Sequence, residues 1–355
     1  MSKQFQAVDI FSGGGGLTVG LKAAGVSVVS AVELDSHAYA TYTANHPEVR
    51  AFKQDVKTIL GDRLKEHSHE NQIDILAGCP PCQGFSSLTR KYKKQDPRNE
   101  LICEMGRLVS EIRPRAIMME NVPGLAQRGK PLLDQFLQNI EAMGYKTNYG
   151  VLQVADYGVP QFRRRFVLVA GLGFEIKLPS PTHSQNGLNG LPQWISVQDA
   201  IGGMPEPQEL SHIKERGGPQ AFNWHVVRTL SPENRARLRH ALPGRSWQDI
   251  PEKIRPDCHK GGYKGFSNVY GRMTWSDVSP TITGGCTTLS KGRFGHPERD
   301  RTISVREAAL LQTFPANYIF DTPYMEHVCN IVGNALPCKF AEAIARECVG
   351  QLQIH

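Results

Sequence analysis

Two cysteines stand three positions apart in the segment "GCPPCQGFS", which runs from Gly78 to Ser86. Three chemistries use cysteines at this spacing: thiol–disulfide exchange, half of a zinc site, or one nucleophile beside an inert neighbour. A redox pair should begin a helix, but no obvious helical pattern follows the double proline. The remaining cysteines form no second pair with zinc-site spacing. The segment therefore favours a single nucleophile, and the redox and zinc interpretations stay open as alternatives.

A nucleophilic cysteine needs a positively charged environment. A free thiol has a pKa of about 8.5, so only a few per cent of it is thiolate at neutral pH. The segment "QFRRR" offers three guanidinium groups, Arg163, Arg164 and Arg165, that would raise this fraction if the fold brought them close.

A glycine-rich segment, "DIFSGGGGLTVG", follows a strand pattern and opens a helix. Gly13, Gly15 and Gly16 allow a tight turn and a close approach to a ligand, and Glu33, twenty residues after Gly13, suits a carboxylate that binds ribose hydroxyls. Asp55 is a candidate for the adenine amino group. A flexible turn is the alternative, and no Gly-Lys-Ser/Thr indicates a phosphate-binding loop. The segment predicts a site for a nucleoside-like cofactor.

The elements that must position these residues alternate between strands and helices. Helical patterns occupy residues 17–24, 36–45, 99–112 and 131–143, with apolar strand patterns between them and a hairpin pattern over 149–171. This alternation predicts an α/β fold with a doubly wound, Rossmann-like parallel sheet. In such sheets ligands bind beyond the carboxyl ends of the strands, where the glycine loop, "ELD", "GCPPCQ" and "ENV" all fall.

The second half of the chain is richer in loops. Regular periodicity is poor from about residue 175 to 270, apart from a helix pattern in "SPENRARLRHAL" with Ser231 as its N-cap. Later helices are predicted in "SVREAALLQTF" and in "NALPCKFAEAIARECVGQL". We predict a catalytic and cofactor-binding domain over residues 1–178, completed by 328–355, and a smaller, loop-rich domain over 179–327.

Composition sets the remaining limits. The 355 residues carry a net charge of +7, which suits an anionic partner such as nucleic acid. No apolar run is long enough to span a membrane, and no signal peptide is evident. The eight cysteines lack the spacing of a disulfide framework. These features predict a soluble protein in a reducing, cytoplasmic compartment.

Six segments, "DIFSGGGG", "GCPPCQGFS", "ENV", "QFRRR", "SPTIT" and "GNALP", resemble in order and spacing the DNA (cytosine-5) methyltransferases of the compact bacterial or phage type. The resemblance runs from Val8 to near the C-terminus. It implies S-adenosylmethionine as cofactor, duplex DNA as substrate, no metal, and a target-recognition role for the smaller domain. It also implies a monomer in the bacterial cytoplasm or nucleoid, either paired with a separate restriction endonuclease or working as an orphan methyltransferase.

The resemblance also implies roles for catalytic residues. The nucleophile would be Cys82 of Pro-Cys-Gln, and Cys79 would pack against the sheet edge. Glu120 would contact N3 of a flipped-out cytosine, and Arg163 and Arg165 would steady that base. Thiolate addition at carbon 6, with a proton or hydrogen bond to N3, makes carbon 5 nucleophilic enough to accept a methyl group.

Two further sets of residues follow from the resemblance. The expected cofactor-binding residues are Phe11, Ser12, Gly13, Gly15, Gly16, Leu17, Glu33, Leu34, Asp55, Val56, Pro80, Asn334 and Ala335. The expected DNA-binding residues are Gln83, Ser86, Arg90, Lys91, Lys93, Gln161, Thr283 and Arg293. The segment "HKGGYKGFSNVYGR" is a further candidate for reading base edges.

Three other functions remain as alternatives. A tRNA cytosine methyltransferase could use the same scaffold, although the large basic middle region favours duplex DNA. A catalytically inactive DNA-binding protein is disfavoured by the intact Cys82, Glu120 and Arg165. A thiol–disulfide oxidoreductase is the third and least favoured alternative.

Overall fold

The computed structural model describes residues 4–81, 100–213, 217, 223–262 and 265–355. The chain forms two compact units. Unit 1 comprises Met1–Tyr157, Arg164–Thr182 and Leu336–His355, and unit 2 comprises Gly158–Arg163 and His183–Ala335. The predicted domain limits at 178 and 328 differ from these boundaries, because the short stretch 158–163 belongs to unit 2 and the chain returns to unit 1 only at Leu336.

Unit 1 is built on a seven-stranded sheet. Its strands are β1 (Gln6–Ile10), β2 (Ser27–Glu33), β3 (Arg50–Lys53), β4 (Ile75–Gly78), β5 (Ala116–Asn121), β6 (Tyr145–Gln153) and β7 (Arg164–Leu172). Their order is β3-β2-β1-β4-β5-β7-β6. The first five strands pair in parallel, and the β6–β7 hairpin joins the edge of β5 in antiparallel fashion. This confirms the predicted doubly wound α/β sheet and its terminal hairpin.

The helices of unit 1 lie close to their predicted limits. They are α1 (Gly16–Ala23), α2 (Ser36–Asn45), α3 (Gly61–Lys65), α4 (Leu101–Ile112), α5 (Lys130–Ala142) and, from the end of the chain, α10 (Cys338–Leu352). Gly25 follows α1 with φ +83°, which is the left-handed conformation predicted for it. The short α3 was not predicted.

The hydrophobic core of unit 1 is formed by side chains of the strands and of the helices packed against them. Val8, Ile10, Leu76, Ile117 and Met119 are almost completely buried in one apolar cluster. Helix α4 contributes the apolar face Ile102, Met105, Leu108, Val109 and Ile112, at the spacing of an amphipathic helix. Because strands and helices are fixed by this core, the described residues that directly follow the carboxyl ends of the strands are held at defined positions.

Unit 2 has little regular structure. It contains helices α6 (Val197–Ile201), α7 (Pro232–His240), α8 (Val305–Leu311) and α9 (Met325–Asn334) and a two-stranded sheet of β8 (Gln208–Glu209) and β9 (Val226–Val227). The Ser231 side chain accepts a hydrogen bond from the Asn234 amide and caps α7 as predicted. Helix α9 was not predicted.

The last helix is shorter than predicted. It begins at Cys338, and Ala335 and Pro337 are extended. A residue before proline is disfavoured in the α conformation, so Pro337 separates α9 from α10. No helix in the described residues is both long and apolar enough to cross a membrane.

Candidate active site

The glycine loop follows β1 and is fixed by Glu33 at the end of β2. One Glu33 carboxylate oxygen accepts a hydrogen bond from the Gly13 amide at 2.8 Å, and the other accepts one from the Asp35 amide at 2.7 Å. Gly13 and Gly15 have φ of +54° and +94°, a conformation that favours glycine. Burial raises the pKa of Glu33, while the two amide hydrogen bonds oppose this effect. The predicted spacing of twenty residues therefore corresponds to a direct contact.

A second cluster forms where β4, β5 and β7 lie side by side. The Nε of Arg165 lies 2.6 Å from Oε1 of Glu120, and both side chains are nearly buried. The Cys79 thiol lies close enough to the same carboxylate for the Glu120 charge to act on it. Burial, and then the Glu120 charge, raise the pKa of Cys79 well above the usual value, so this thiol stays protonated. The structure thus unites Glu120 and Arg165 and disfavours Cys79 as the nucleophile.

The segment that leads to Cys82 is anchored by a residue whose role the sequence did not reveal. The side-chain amide of Asn121 donates a hydrogen bond to the Pro80 carbonyl at 3.0 Å, and both residues are buried. Its own Oδ1 accepts a hydrogen bond from the Val122 amide. Asn121 therefore positions the backbone at Pro80, and it does so from β5, the strand that also carries Glu120. Its place directly after Glu120 in "ENV" was the only available signal.

The "QFRRR" segment is divided between the two units. Gln161, in unit 2, is fully buried: its Nε2 donates to Gln312 Oε1 at 2.7 Å and its Oε1 accepts from the Ile282 amide at 2.8 Å. Arg163, also in unit 2, is 3% exposed and donates to the carbonyls of Ile282 and Gly333. These contacts favour roles inside unit 2 over direct contact with DNA or a flipped base. Arg165 belongs to unit 1.

The "SPTIT" and "GNALP" segments meet in unit 2. A Cβ at Gly333 would lie 2.2 Å from the Gly284 amide nitrogen and from the Thr283 carbonyl carbon, so only glycine allows this approach. Asn334 ends α9 and is exposed, and Ala335 and Thr283 are half-buried. This close packing explains in physical terms why "GNALP" begins with a glycine.

Comparisons with known proteins agree with this geometry. The sequence pattern of the C-5 cytosine-specific DNA methylase family matches residues 5–350. The chain is 37% identical over 345 residues to the type II methylase M.HgiDII of Herpetosiphon aurantiacus, covering 96% of this chain and 93% of the relative. It is 32% identical to the type II methyltransferase M1.HphI of Haemophilus parahaemolyticus, covering 95% and 85%.

The chain belongs to the C-5 cytosine-specific DNA methylase family.

Solved structures of similar fold include a putative DNA modification methyltransferase encoded within an E. coli prophage. It has a TM-score of 0.72 and 24% identity and covers 98% of this chain and 99% of its own. The predictions of family, fold class and DNA (cytosine-5) methyltransferase activity are confirmed.

The loop edge of this methylase fits S-adenosylmethionine, the cofactor that the family implies. A Cβ at Gly13 would meet no atom within 4 Å, and the apolar Leu34 side chain is 62% exposed beside Glu33. Phe11, next to the glycine loop, adopts φ +58°, an uncommon conformation for a bulky residue that often marks a functional site. Asp55 caps a short helical turn through the Lys57 amide, next to the buried Val56.

Three other cofactor predictions lie on the same loop. Ser12 binds the Val32 carbonyl through its amide and its hydroxyl, and Gly16 and Leu17 are buried in the first turn of α1. These residues connect the glycine loop to β2 and to the buried first turn of α1.

The remaining site predictions of the methylase divide into two groups. Cys82, Gln83, Ser86, Arg90, Lys91 and Lys93 lie outside the described residues. Arg293 donates to the Gly244 carbonyl at 2.6 Å, which connects two loops of unit 2 and leaves its role towards DNA a prediction. In the described parts of the chain, no three His, Cys, Asp or Glu side chains are placed to share a metal ion.

Proposed function

We propose that this methylase transfers a methyl group from S-adenosylmethionine to carbon 5 of a cytosine flipped out of duplex DNA, through a covalent adduct of Cys82. The observation that carries the proposal is the cluster of Glu120, Arg165 and Cys79, next to the Asn121-anchored prolines that lead to Cys82. Cysteine attack with acid assistance at N3 needs these groups at one edge of the sheet.

The chain's own residues account for the activation of cytosine. The Cys82 thiolate adds to carbon 6, and Glu120 supplies a proton or hydrogen bond to N3, which makes the ring an enamine. Arg165 holds one Glu120 oxygen at 2.6 Å and so fixes the orientation of the carboxylate. Carbon 5 would then form a bond to the sulfonium methyl group, leaving S-adenosylhomocysteine, after which loss of the carbon 5 proton restores the double bond and expels the Cys82 thiolate. Positioned acid catalysis of this kind accelerates a reaction by roughly 10²–10⁴.

S-adenosylmethionine would supply an electrophilic methyl group. Glu33 would hold the ribose hydroxyls, because its carboxylate has acceptor capacity beyond the two amide hydrogen bonds. Phe11 and Leu34 would contact the adenine ring, and Asp55 its amino group. Pro80 would lie between the cofactor and the nucleophile, and the roles of Asn334 and Ala335 towards the cofactor remain predictions.

Unit 2 would recognise the target sequence, as the smaller domain was predicted to do. Its basic residues support this role. The names of the type II bacterial relatives support action in a bacterial restriction–modification system. A separate endonuclease, a monomeric state and a bacterial location remain predictions.

Incubation with methyl-labelled S-adenosylmethionine and mixed-sequence duplex DNA tests the proposal. We expect label on cytosine carbon 5 and a covalent complex with DNA that contains 5-fluorocytosine. Cys82→Ser should abolish both, because serine is a much weaker nucleophile. Cys79→Ser is the matched control and should keep most of the activity, since the Cys79 thiol stays protonated.

The opposite pattern, with Cys79→Ser inactive and Cys82→Ser active, would contradict the assigned nucleophile. Preferential labelling of tRNA in a competition with duplex DNA would contradict the substrate.

A further inference from the structure

Most of the excess positive charge lies in one stretch of unit 2, between Ser231 and Arg272. This stretch has nine lysine and arginine residues and four acidic residues, against an excess of seven positive charges for the whole chain. The side chains of Arg239, Arg245 and Lys260 are 64%, 65% and 40% exposed, and each forms an ion pair with an aspartate: Asp300, Asp249 and Asp257, respectively. Such a concentration of charge fits a polyanionic partner.

Three aromatic rings, with a guanidinium group at each end, pack against one another in this stretch. Arg255 lies 5.4 Å from the ring centre of Trp247, which lies 4.8 Å from that of His259. His259 lies 5.7 Å from Tyr270, and Arg237 lies 6.0 Å from Tyr270 on the far side. Burial lowers the pKa of His259, so the middle ring is neutral at physiological pH and does not repel the guanidinium groups. We call these five residues the Trp247 stack.

The Trp247 stack fixes the backbone of Phe266. The indole N–H of Trp247 donates a hydrogen bond to the Phe266 carbonyl at 3.1 Å. Phe266 has φ +43°, which is strained for a bulky residue and persists only where the surroundings impose it. Its side chain is nevertheless 65% exposed, and Ser267 and Asn268 beside it are also exposed.

An exposed ring on a strained but fixed backbone suits recognition. Exposure leaves apolar surface in water, and a partner with flat apolar faces would remove that surface from water. The net positive charge of the stretch that carries Phe266 favours an anionic partner. A nucleic acid duplex, with bases inside a phosphate backbone, meets both conditions. An uncharged protein surface meets only the first.

We propose that Phe266 stacks against a base of the target duplex while basic side chains of the same stretch of chain bind phosphates. This inference rests on the proposed function, because it assumes that unit 2 binds DNA. Aromatic and other apolar side chains that insert at base steps help to distort a duplex, and opening the duplex is required before a cytosine can leave the stack.

Fluorescence anisotropy with a labelled duplex that carries the cytosine site mapped by bisulfite sequencing tests the inference. Phe266→Ala should weaken binding about 5- to 150-fold, the range of base–aromatic stacking. Phe266→Tyr should restore binding because it keeps a ring, and Phe266→Leu should lie between them. The slope of log K against log salt should not change, since no phosphate contact is lost.

Leu188→Ala is the matched control, because Leu188 is a 61% exposed apolar residue of the same unit outside the basic stretch. It should bind as the wild type does. Wild-type binding by Phe266→Ala, or equal losses for the Ala and Tyr variants, would overturn the inference. Methyl transfer by the wild type is measured in parallel: if it fails, the proposed function is wrong, whereas transfer with unimpaired Phe266→Ala binding refutes this inference alone.

Discussion

Asp9 places a carboxylic acid in the middle of the sheet, between β2 and β4. Its Oδ2 accepts a hydrogen bond from the Thr18 hydroxyl at 2.7 Å, and that hydroxyl also bonds the Tyr42 hydroxyl at 2.8 Å. Its Oδ1 has no hydrogen-bond partner in the described residues. Burial, with a smaller contribution from the Glu33 charge, raises the pKa of Asp9 to about 7, and the Thr18 hydrogen bond opposes this rise. The folded protein therefore favours the protonated acid.

This residue predicts a pH-dependent stability. Because the pKa of Asp9 is higher in the folded state than in the unfolded state, its stabilising contribution is complete below about pH 4. That contribution is lost as the pH rises through about 7. Asp9→Asn has no charge to bury, so it should be more stable than the wild type at pH 8, by at most about 4 kcal/mol.

The measurement is the free energy of unfolding by denaturant at pH 5 and pH 8. Thr18→Val is a useful comparison, because it removes the hydrogen bond to Asp9 but keeps the acid. Identical pH dependence for the wild type and Asp9→Asn would show that Asp9 does not carry the effect.

At the scale of elements, short-range patterns were predicted well and contacts distant in sequence were not. Helix α2 has the predicted limits, because Asp35 caps it through the amides of His37 and Ala38. The contacts of Gln161 and Arg163 join residues more than 100 positions apart, which no local pattern encodes. Helix α9 was missed although its buried Met325, Val328, Cys329 and Val332 have the spacing of an amphipathic helix.

The contact between α1 and α10 gives an element-scale prediction. Gly20 on α1 is buried, and a Cβ there would lie 2.4 Å from the Ala341 Cβ and 2.6 Å from the Glu342 amide nitrogen on α10. Gly20→Ala should therefore destabilise unit 1 by about 1–3 kcal/mol, the usual cost of overpacking, despite the better helix propensity of alanine.

Gly350→Ala on α10 is the matched control, since its Cβ would meet no atom within 4 Å. It should be neutral or stabilising by up to about 1 kcal/mol. Denaturant unfolding of both variants compares them, and a Gly20→Ala protein as stable as the wild type would refute the tight contact.

At the scale of the whole molecule, the charge distribution predicts a strong salt dependence of DNA binding. Lys253 and Lys260 are exposed in the basic stretch of unit 2. Removing both by Lys253→Ala/Lys260→Ala should reduce the slope of log K against log salt by up to about 2, since each phosphate contact contributes about 0.9. The loss of affinity should be similar for all DNA sequences.

Lys146→Ala/Lys177→Ala serves as the control, because both lysines are exposed on unit 1. Filter binding between 50 and 200 mM salt, the range over which such contacts are typically separated, gives both slopes. An equal change in the two double variants would place the DNA contacts elsewhere.

The pairing of α1 with α10 has a consequence for how the protein is made. The two helices are separated by some 300 residues, so at about 5–20 residues per second the ribosome needs roughly 15–60 s to deliver the second after the first. During that interval the α10-facing side of α1, including Gly20 and its neighbours, has no partner to cover it. Unit 1 can therefore complete its packing only after unit 2 has been synthesised, and the nascent chain is an expected client of chaperones.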